Sequence, residues 1–322
     1  GLLGASPAAL RYVRELRRIV RALAPDVVHS NGFKMHVLGL MARPAGVPLV
    51  WHVHDFGGRR PLMGRVLRAG AGRCAAVVAN SRSVAADVRA VCGGAVPVHA
   101  VYNAIDLARF APDGPVLDLD AAAGLHPAPA GTIRVGLVAT LGWWKGHETF
   151  LRAVSLLPPR LPVRAYVVGG ALYETEGSQL TVEGLRRSAA GLGIADRVGF
   201  TGFVEEPAAA MRALDVVVHA STEPEPFGLV IVEALACGRA LVASQAGGAA
   251  ELFAPGETAL GHPPGDAERL AAAIAALAAD PELRARLGSA GRREMVRSFD
   301  RARLAVELVP IYRGVAAAAG AR

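Results

Sequence analysis

The densest run of chemically useful side chains is STEPEPFGLVIVEALACG (221–238). A buried-type strand, LDVVVHAS (214–221), feeds a polar loop punctuated by proline, and helical spacing begins near Gly228. Such a strand–loop–helix leaves the N–H groups of Gly228, Leu229 and Val230 without intrahelical partners, at the positive end of the helix dipole, where phosphate binds well. Glu225 precedes that helix and Glu233 lies inside it. One carboxylate can then meet a sugar and the other a ribose diol, because ionised carboxylates accept paired hydrogen bonds from vicinal hydroxyls. A chain with 16 glutamates holds about one Glu-x7-Glu pair by chance. The spacing alone therefore equally fits ordinary charge at a helix start and a solvated helix face.

The second constellation is LVATLGWWKGHETFLRAV (137–154), where a strand ends, a glycine-containing loop follows and Lys145-Gly146 opens a helix. A lysine at such a strand-to-helix switch point can place a point charge on a diphosphate, or simply lie on the surface. It is not a Walker loop, since the Gly-x4-Gly-Lys-Ser/Thr order is absent. In WHVHD (51–55), alternation puts His52 and His54 on one face, leaving the end of a strand. A metal pair there would lack a nearby third ligand, and a structural histidine competes with a functional one. Gly70-x-Gly72-x-x-Ala75 precedes its strand and so is no dinucleotide fingerprint. Asp118-x-Asp120 reads as solvated charge, and the stripe Arg11, Arg14, Arg18 and Arg21 as a solvated or lipid-facing helix face.

The elements that must position these groups alternate along the chain. Strands are expected at 25–31, 48–55, 75–80 and 96–103, with helical spacing near 34–43, 60–70 and 81–91 and N-cap oxygens at Ser81 and Ser83. Residues 111–131 concentrate Pro, Gly and Asp and read as a linker. Strands resume at 133–139, 163–170, 196–202, 214–221 and 239–244. The expected class is α/β: two Rossmann-like domains with parallel sheets facing a cleft that receives ligands at the strands' carboxyl ends. The expected boundaries are an N-terminal domain at 1–112, a linker at 113–131, a C-terminal domain at 132–299, and a helical end at 300–322.

The chain has 322 residues, 52% hydrophobic and 20% charged, which is ample for packed cores and argues against disorder. Three distant cysteines, with no Cys-x-x-Cys pair, make neither a disulfide framework nor a zinc knuckle. No apolar run approaches the ~20 residues of a bilayer span, so a reducing, cytoplasmic setting is expected. The whole formal charge of +7 falls in residues 1–130, which suits an anionic partner, although 33 of the 35 basic residues are arginine and composition bias explains it as well. Basic charge without a recognition motif gives no support for a nucleic-acid partner.

Together these residues resemble the retaining glycosyltransferases of family 4, whose GT-B fold has two facing Rossmann-like domains. The resemblance runs through PEPFGLVIVEALACG, SQAGGAAELF (244–253), GFTGFVEE (199–206), WWKGHETFLRAV, VYNAIDLARF (101–110), VVANSRSVA (77–85) and the histidine of WHVHD. It implies a hexosyl transfer from a nucleotide-diphosphate sugar to a lipid-linked, glycan or small-molecule acceptor, with retention and without a divalent metal or other cofactor. The catalytic set it implies is His54, Lys145 and Glu225, with Lys145 on the diphosphate, Glu225 on the transferred sugar and His54 near sugar and acceptor. The donor-binding set adds Thr140, Gly170, Val204, Phe227, Gly228, Leu229, Val230 and Glu233, the last on the ribose. It also implies that the last helix crosses back onto the first domain, and the basic first domain suggests contact with the inner membrane face. Thr140 stands where the family usually carries arginine, and residues 1–24 contain no glycine-rich loop, so the natural start reads as missing. A non-catalytic nucleotide-sugar-binding remnant and a GT-B-fold nucleotide-sugar epimerase are the alternative readings.

Overall fold

Short runs of Val and Ala, apolar on both faces, pair into two all-parallel sheets, as fully covered parallel strands require. The computed structural model describes residues 7–170 and 179–320, in two units: 1–103 with 302–322, and 104–301. In the first unit α1 (Pro7–Leu23), β1 (Val28–Asn31), α2 (Phe33–Ala42), β2 (Leu49–Val53), α3 (Pro61–Ala71), β3 (Ala76–Ala79), α4 (Arg82–Cys92) and β4 (Val98–Ala100) follow one another. The sheet runs β1-β2-β3-β4, so each crossover returns beside its own start. Ser81 caps α4, its hydroxyl accepting from the Val84 N–H.

The second unit holds α5 (Leu119–Ala122), β5 (Ile133–Val138), α6 (His147–Ser155), β6 (Val163–Val168), α7 (Val182–Gly191), β7 (Val198–Gly202), α8 (Pro207–Ala213), β8 (Val216–His219), α9 (Leu229–Ala236), β9 (Ala240–Ser244), β10 (Leu260–His262), α10 (Ala267–Ala279) and α11 (Pro281–Ser298). Its sheet runs β10-β9-β8-β5-β6-β7, with the order reversing between β5 and its neighbours. Val135, Leu137, Val216, Val218 and Val242 pack there on Phe150, Leu270, Ile274 and Leu277.

The final helix, α12 (Arg303–Gly320), belongs to the first unit. The pleat explains its seat. Leu49, Trp51 and Val53 face a core shared with Leu67, Val84 and Val88, whereas Val50 and Val78 face Leu304, Leu308, Ile311 and Tyr312 of α12.

Two expectations need correction. Residues 113–131 are not a free linker, because the second unit begins at Ala104 and incorporates them. The Leu117 N–H bonds the Ala209 carbonyl, and Leu119 is buried. Nor is Asp120 solvated charge. It is buried, and its carboxylate takes hydrogen bonds from Arg164 (2.6 Å), Tyr166 (2.7 Å), the Ala128 N–H (2.9 Å) and Arg134 (3.3 Å). The Pro and Gly that suggested a linker only shape the path of a chain pinned by this ion pair. β10, three residues with glycine at the centre and proline just after, is a strand that sequence pattern does not announce.

Candidate active site

Lys145 and Glu225, 80 residues apart in the chain, meet at the carboxyl ends of β5 and β8. Lys145 closes a 3-10 turn, Trp143–Lys145, and Gly146 follows with φ +75°. A β-carbon at Gly146 would collide with the Ala220 carbonyl, so only glycine lets this turn lie on the segment after β8. The Thr222 N–H then bonds the Trp144 carbonyl at 2.8 Å, stitching the two loops together. On the other side Gly247, φ +64°, packs against the backbone of Glu225, whose carbonyl accepts from the Gly248 N–H at 2.7 Å.

With both backbones fixed, the side chains converge. The Lys145 ammonium lies 2.5 Å from Glu225 Oε1, the Ser221 hydroxyl donates to the same oxygen at 2.6 Å, and His219 Nε2 stands 3.7 Å from it. Glu225 is 8% exposed. Burial pushes its carboxyl up, but His219 and Lys145 beside Oε1 outweigh that and hold it well below the usual carboxylate range. The group is an ionised carboxylate with a lysine counter-ion, poised beside the first turn of α9.

Glu233, on α9, has a different environment. Its carboxyl makes no hydrogen bond among the described residues, and burial raises it to about 7 against a smaller opposing pull from Arg109. Phe227 is buried, Gly228 takes φ +106° at the start of α9, and Leu229 is exposed, with Val230 half-buried. Thr140 follows β5, its carbonyl accepting from the Gly142 N–H. Gly170 follows β6 and accepts from the Leu141 N–H. Val204 lies half-buried in the loop after β7, next to an exposed Phe203. The second unit thus contains every candidate donor residue. Arg134 and Arg164 are committed to Asp120.

His54 is in the first unit, just past β2. Its ring lies 4.0 Å from that of His52, which meets His29 edge-on at 5.3 Å. His29 Nδ1 in turn pairs with the Tyr312 hydroxyl of α12 at 2.9 Å. Burial, with His29 nearby, pushes His54 below its ordinary value, so it is a neutral imidazole at pH 7. Among the described residues no group of three His, Cys, Asp or Glu could hold a metal ion, and no helix is long and apolar enough to cross a membrane.

Sequence reasoning missed Ser221 and His219 as site residues. Their signal was the place where β8 ends, four and six residues ahead of Glu225.

The comparisons with known proteins agree in kind. The profile of glycosyl transferases group 1 matches residues 126–294, and that of Glycosyltransferase Family 4 matches residues 2–109. The lipopolysaccharide core biosynthesis mannosyltransferase LpcC of Rhizobium leguminosarum bv. viciae is 33% identical over 217 residues, 67% of this chain and 60% of that protein. The chain thus spans less than two thirds of that relative. The alpha-maltose-1-phosphate synthase of Mycolicibacterium smegmatis is 30% identical over 98% of this chain and 86% of its own. The crystal structure of Anabaena Alr3699/HepE in complex with UDP-glucose superposes with a TM-score of 0.78 at 30% identity, covering 95% of this chain and 82% of that one. With a profile that matches more than half of its residues and a relative aligned over nearly its whole length, this chain belongs to the glycosyl transferases group 1 family.

Proposed function

We propose that the chain moves a hexosyl group from a nucleotide-diphosphate sugar to a glycan, lipid-linked or small-molecule acceptor, with retention and without a divalent metal. The observation that carries this is the Lys145 ammonium held on a buried, ionised Glu225 at the head of α9. When a glycosidic bond to a diphosphate breaks, negative charge grows on the leaving group. An ammonium and a helix N-terminus already in the site stabilise that charge. Ionised Glu225 accepts from the sugar hydroxyls, Glu233 from the ribose, and the loop at Val204 borders the base. Thr140 contributes a hydroxyl where an arginine would add charge, so Lys145 carries more of the diphosphate. His54, neutral, serves the acceptor side. The UDP-glucose complex of the Anabaena protein and the mannosyltransferase named in Rhizobium support a hexose donor. The basic charge of residues 1–130 suits an anionic acceptor or the cytoplasmic membrane face.

The test is a screen of UDP-, GDP- and ADP-sugars in EDTA, reading nucleoside diphosphate release and the anomer of the product by NMR. One donor is expected to turn over with its anomeric configuration kept. Inversion, or dependence on added Mg²⁺, would overturn those parts of the reading. No binding and no release with any donor would overturn the whole.

A further inference from the structure

Among the described residues, the three groups that approach the Glu225 carboxylate do so at Oε1: Lys145 Nζ, Ser221 Oγ and, at 3.7 Å, His219 Nε2. Oε2 takes no hydrogen bond among the described residues. One oxygen is therefore pinned by protein and the other is free to meet a ligand. The pin has a weakness. If Lys145 serves a diphosphate, as in the function proposed above, its ammonium is drawn toward a group of larger charge. Oε1 then keeps only the Ser221 hydroxyl, in a site from which water is largely excluded, and a buried carboxylate with too few donors is costly.

His219 is placed to fill that gap. It ends β8, a central strand between β5 and β9, and its backbone is held in register with Ala243 of β9. Its carbonyl also accepts from His262 Nε2 at 3.2 Å. The ring is buried, yet neither of its nitrogens has a hydrogen-bond partner among the described residues. A distance of 3.7 Å is too long for a hydrogen bond, but closing it to about 2.9 Å needs only a small side-chain shift. We propose that His219 is a positioning residue for Glu225: its Nε2–H takes over Oε1 as Lys145 turns to the donor diphosphate, holding Oε2 toward the sugar.

Leucine at 219 removes the donor, and glutamine restores an N–H at similar reach. The His219→Leu protein is expected to turn over nucleotide sugar about 10- to 100-fold more slowly in kcat, the range for a hydrogen bond to a charged group. Its KM and its thermal shift with nucleoside diphosphate stay near wild type, because Lys145 still holds the phosphates. His219→Gln is expected to recover most of kcat. Wild-type kcat in His219→Leu overturns the proposal while leaving the site reading intact. Equal losses of kcat and melting temperature in both variants overturn it too, in favour of packing. A wild-type protein that neither binds nor turns over any nucleotide sugar defeats the site reading, and the proposal with it.

Discussion

Among the described residues, ionised side chains are buried in the second unit, whereas imidazoles are buried in both. The second buries ionised side chains and surrounds each with donors: Glu225 with Lys145 and Ser221, and Asp120 with Arg164, Arg134, Tyr166 and a backbone N–H. Imidazoles are satisfied poorly in both, His219 of the second having neither ring nitrogen partnered among the described residues, but the first gathers several of them. His36, His52 and His54 each carry a buried Nε2 without a partner among the described residues, and His36 stacks on Trp51. A neutral ring tolerates such a place at modest cost, whereas a carboxylate does not. A site built on fixed charge suits a ligand that is itself charged. A site of uncharged rings suits hydroxyl chemistry, where an imidazole nitrogen accepts a proton or a hydrogen bond.

The contrast can be broken most severely at Asp120. Replacing it with Ala leaves two arginines and a tyrosine facing an empty, buried place. Removing one partner of a buried ionic set costs about 3–5 kcal/mol. Urea unfolding of Asp120→Ala should show that loss, and a change below about 1 kcal/mol would mean the arginines find water instead. Lys145→Ala attacks the same logic at the site. It strips a buried Glu225 of its counter-ion and the diphosphate of its ammonium, so turnover of nucleotide sugar should fall about 10²- to 10³-fold. A loss under tenfold would mean that Lys145 is not the cation that meets the leaving group.

These two residues also show what could be read from sequence. Lys145 and Glu225 were legible because each sits in a local strand–loop–helix pattern, and the Val-rich runs that became β2, β5, β6 and β8 leave little alternative to a parallel sheet. Asp120 was misread for a physical reason. Its partners lie 14, 44 and 46 residues away, on β5 and β6, and no local pattern reports them. Around it the Pro and Gly content suggested a chain without contacts. His219 was hidden differently, since a histidine at the end of an apolar strand looks structural until the fold brings Glu225 beside it.

Acid sharpens the comparison between the units. Burial pushes His36 to about 4 and His52 to about 3, and lowers His54. A histidine whose folded value is depressed contributes its full stability above its unfolded value of about 6.5 and loses it as pH falls toward the folded value. The second unit has His147, pushed to about 4, and His262, also lowered. Glu233 opposes them, because a raised carboxyl binds its proton more readily when folded. With His29, also lowered by burial, four groups in the first unit act against a net of one in the second, a difference of roughly 4.1 kcal/mol per pH unit at most, between about pH 6.5 and 4.5. The depressed carboxyls Asp120 and Glu225 keep their contribution down to about pH 4, so they do not blur that window. Trp51 reports on the first unit alone once Trp143 and Trp144 are phenylalanine, and the reverse holds for Trp51→Phe. Urea melts at pH 7.5 and 5.5 should show the Trp51 transition moving further, and equal shifts would refute the contrast.

Glu233 gives the smallest effect and the finest test, because it is a half-buried carboxyl with no counter-ion in contact among the described residues. Near pH 7 it is divided between its acid and its carboxylate, and the ribose diol is best bound by the carboxylate, which can accept from both hydroxyls at once. Binding therefore favours loss of the proton, and affinity weakens as the medium turns acid. Below about pH 7 the dissociation constant of a nucleotide sugar should rise by up to about tenfold per pH unit, and above it the curve should flatten. The intact nucleotide sugar is the right ligand, because its diphosphate is esterified at both ends and has no proton of its own to gain in that range. Glu233→Gln should bind more weakly at pH 8 yet with a flat profile, since an amide neither titrates nor accepts from both hydroxyls. A wild-type profile that is already flat would put the ribose elsewhere and leave Glu233 as a carboxyl that burial alone keeps half protonated.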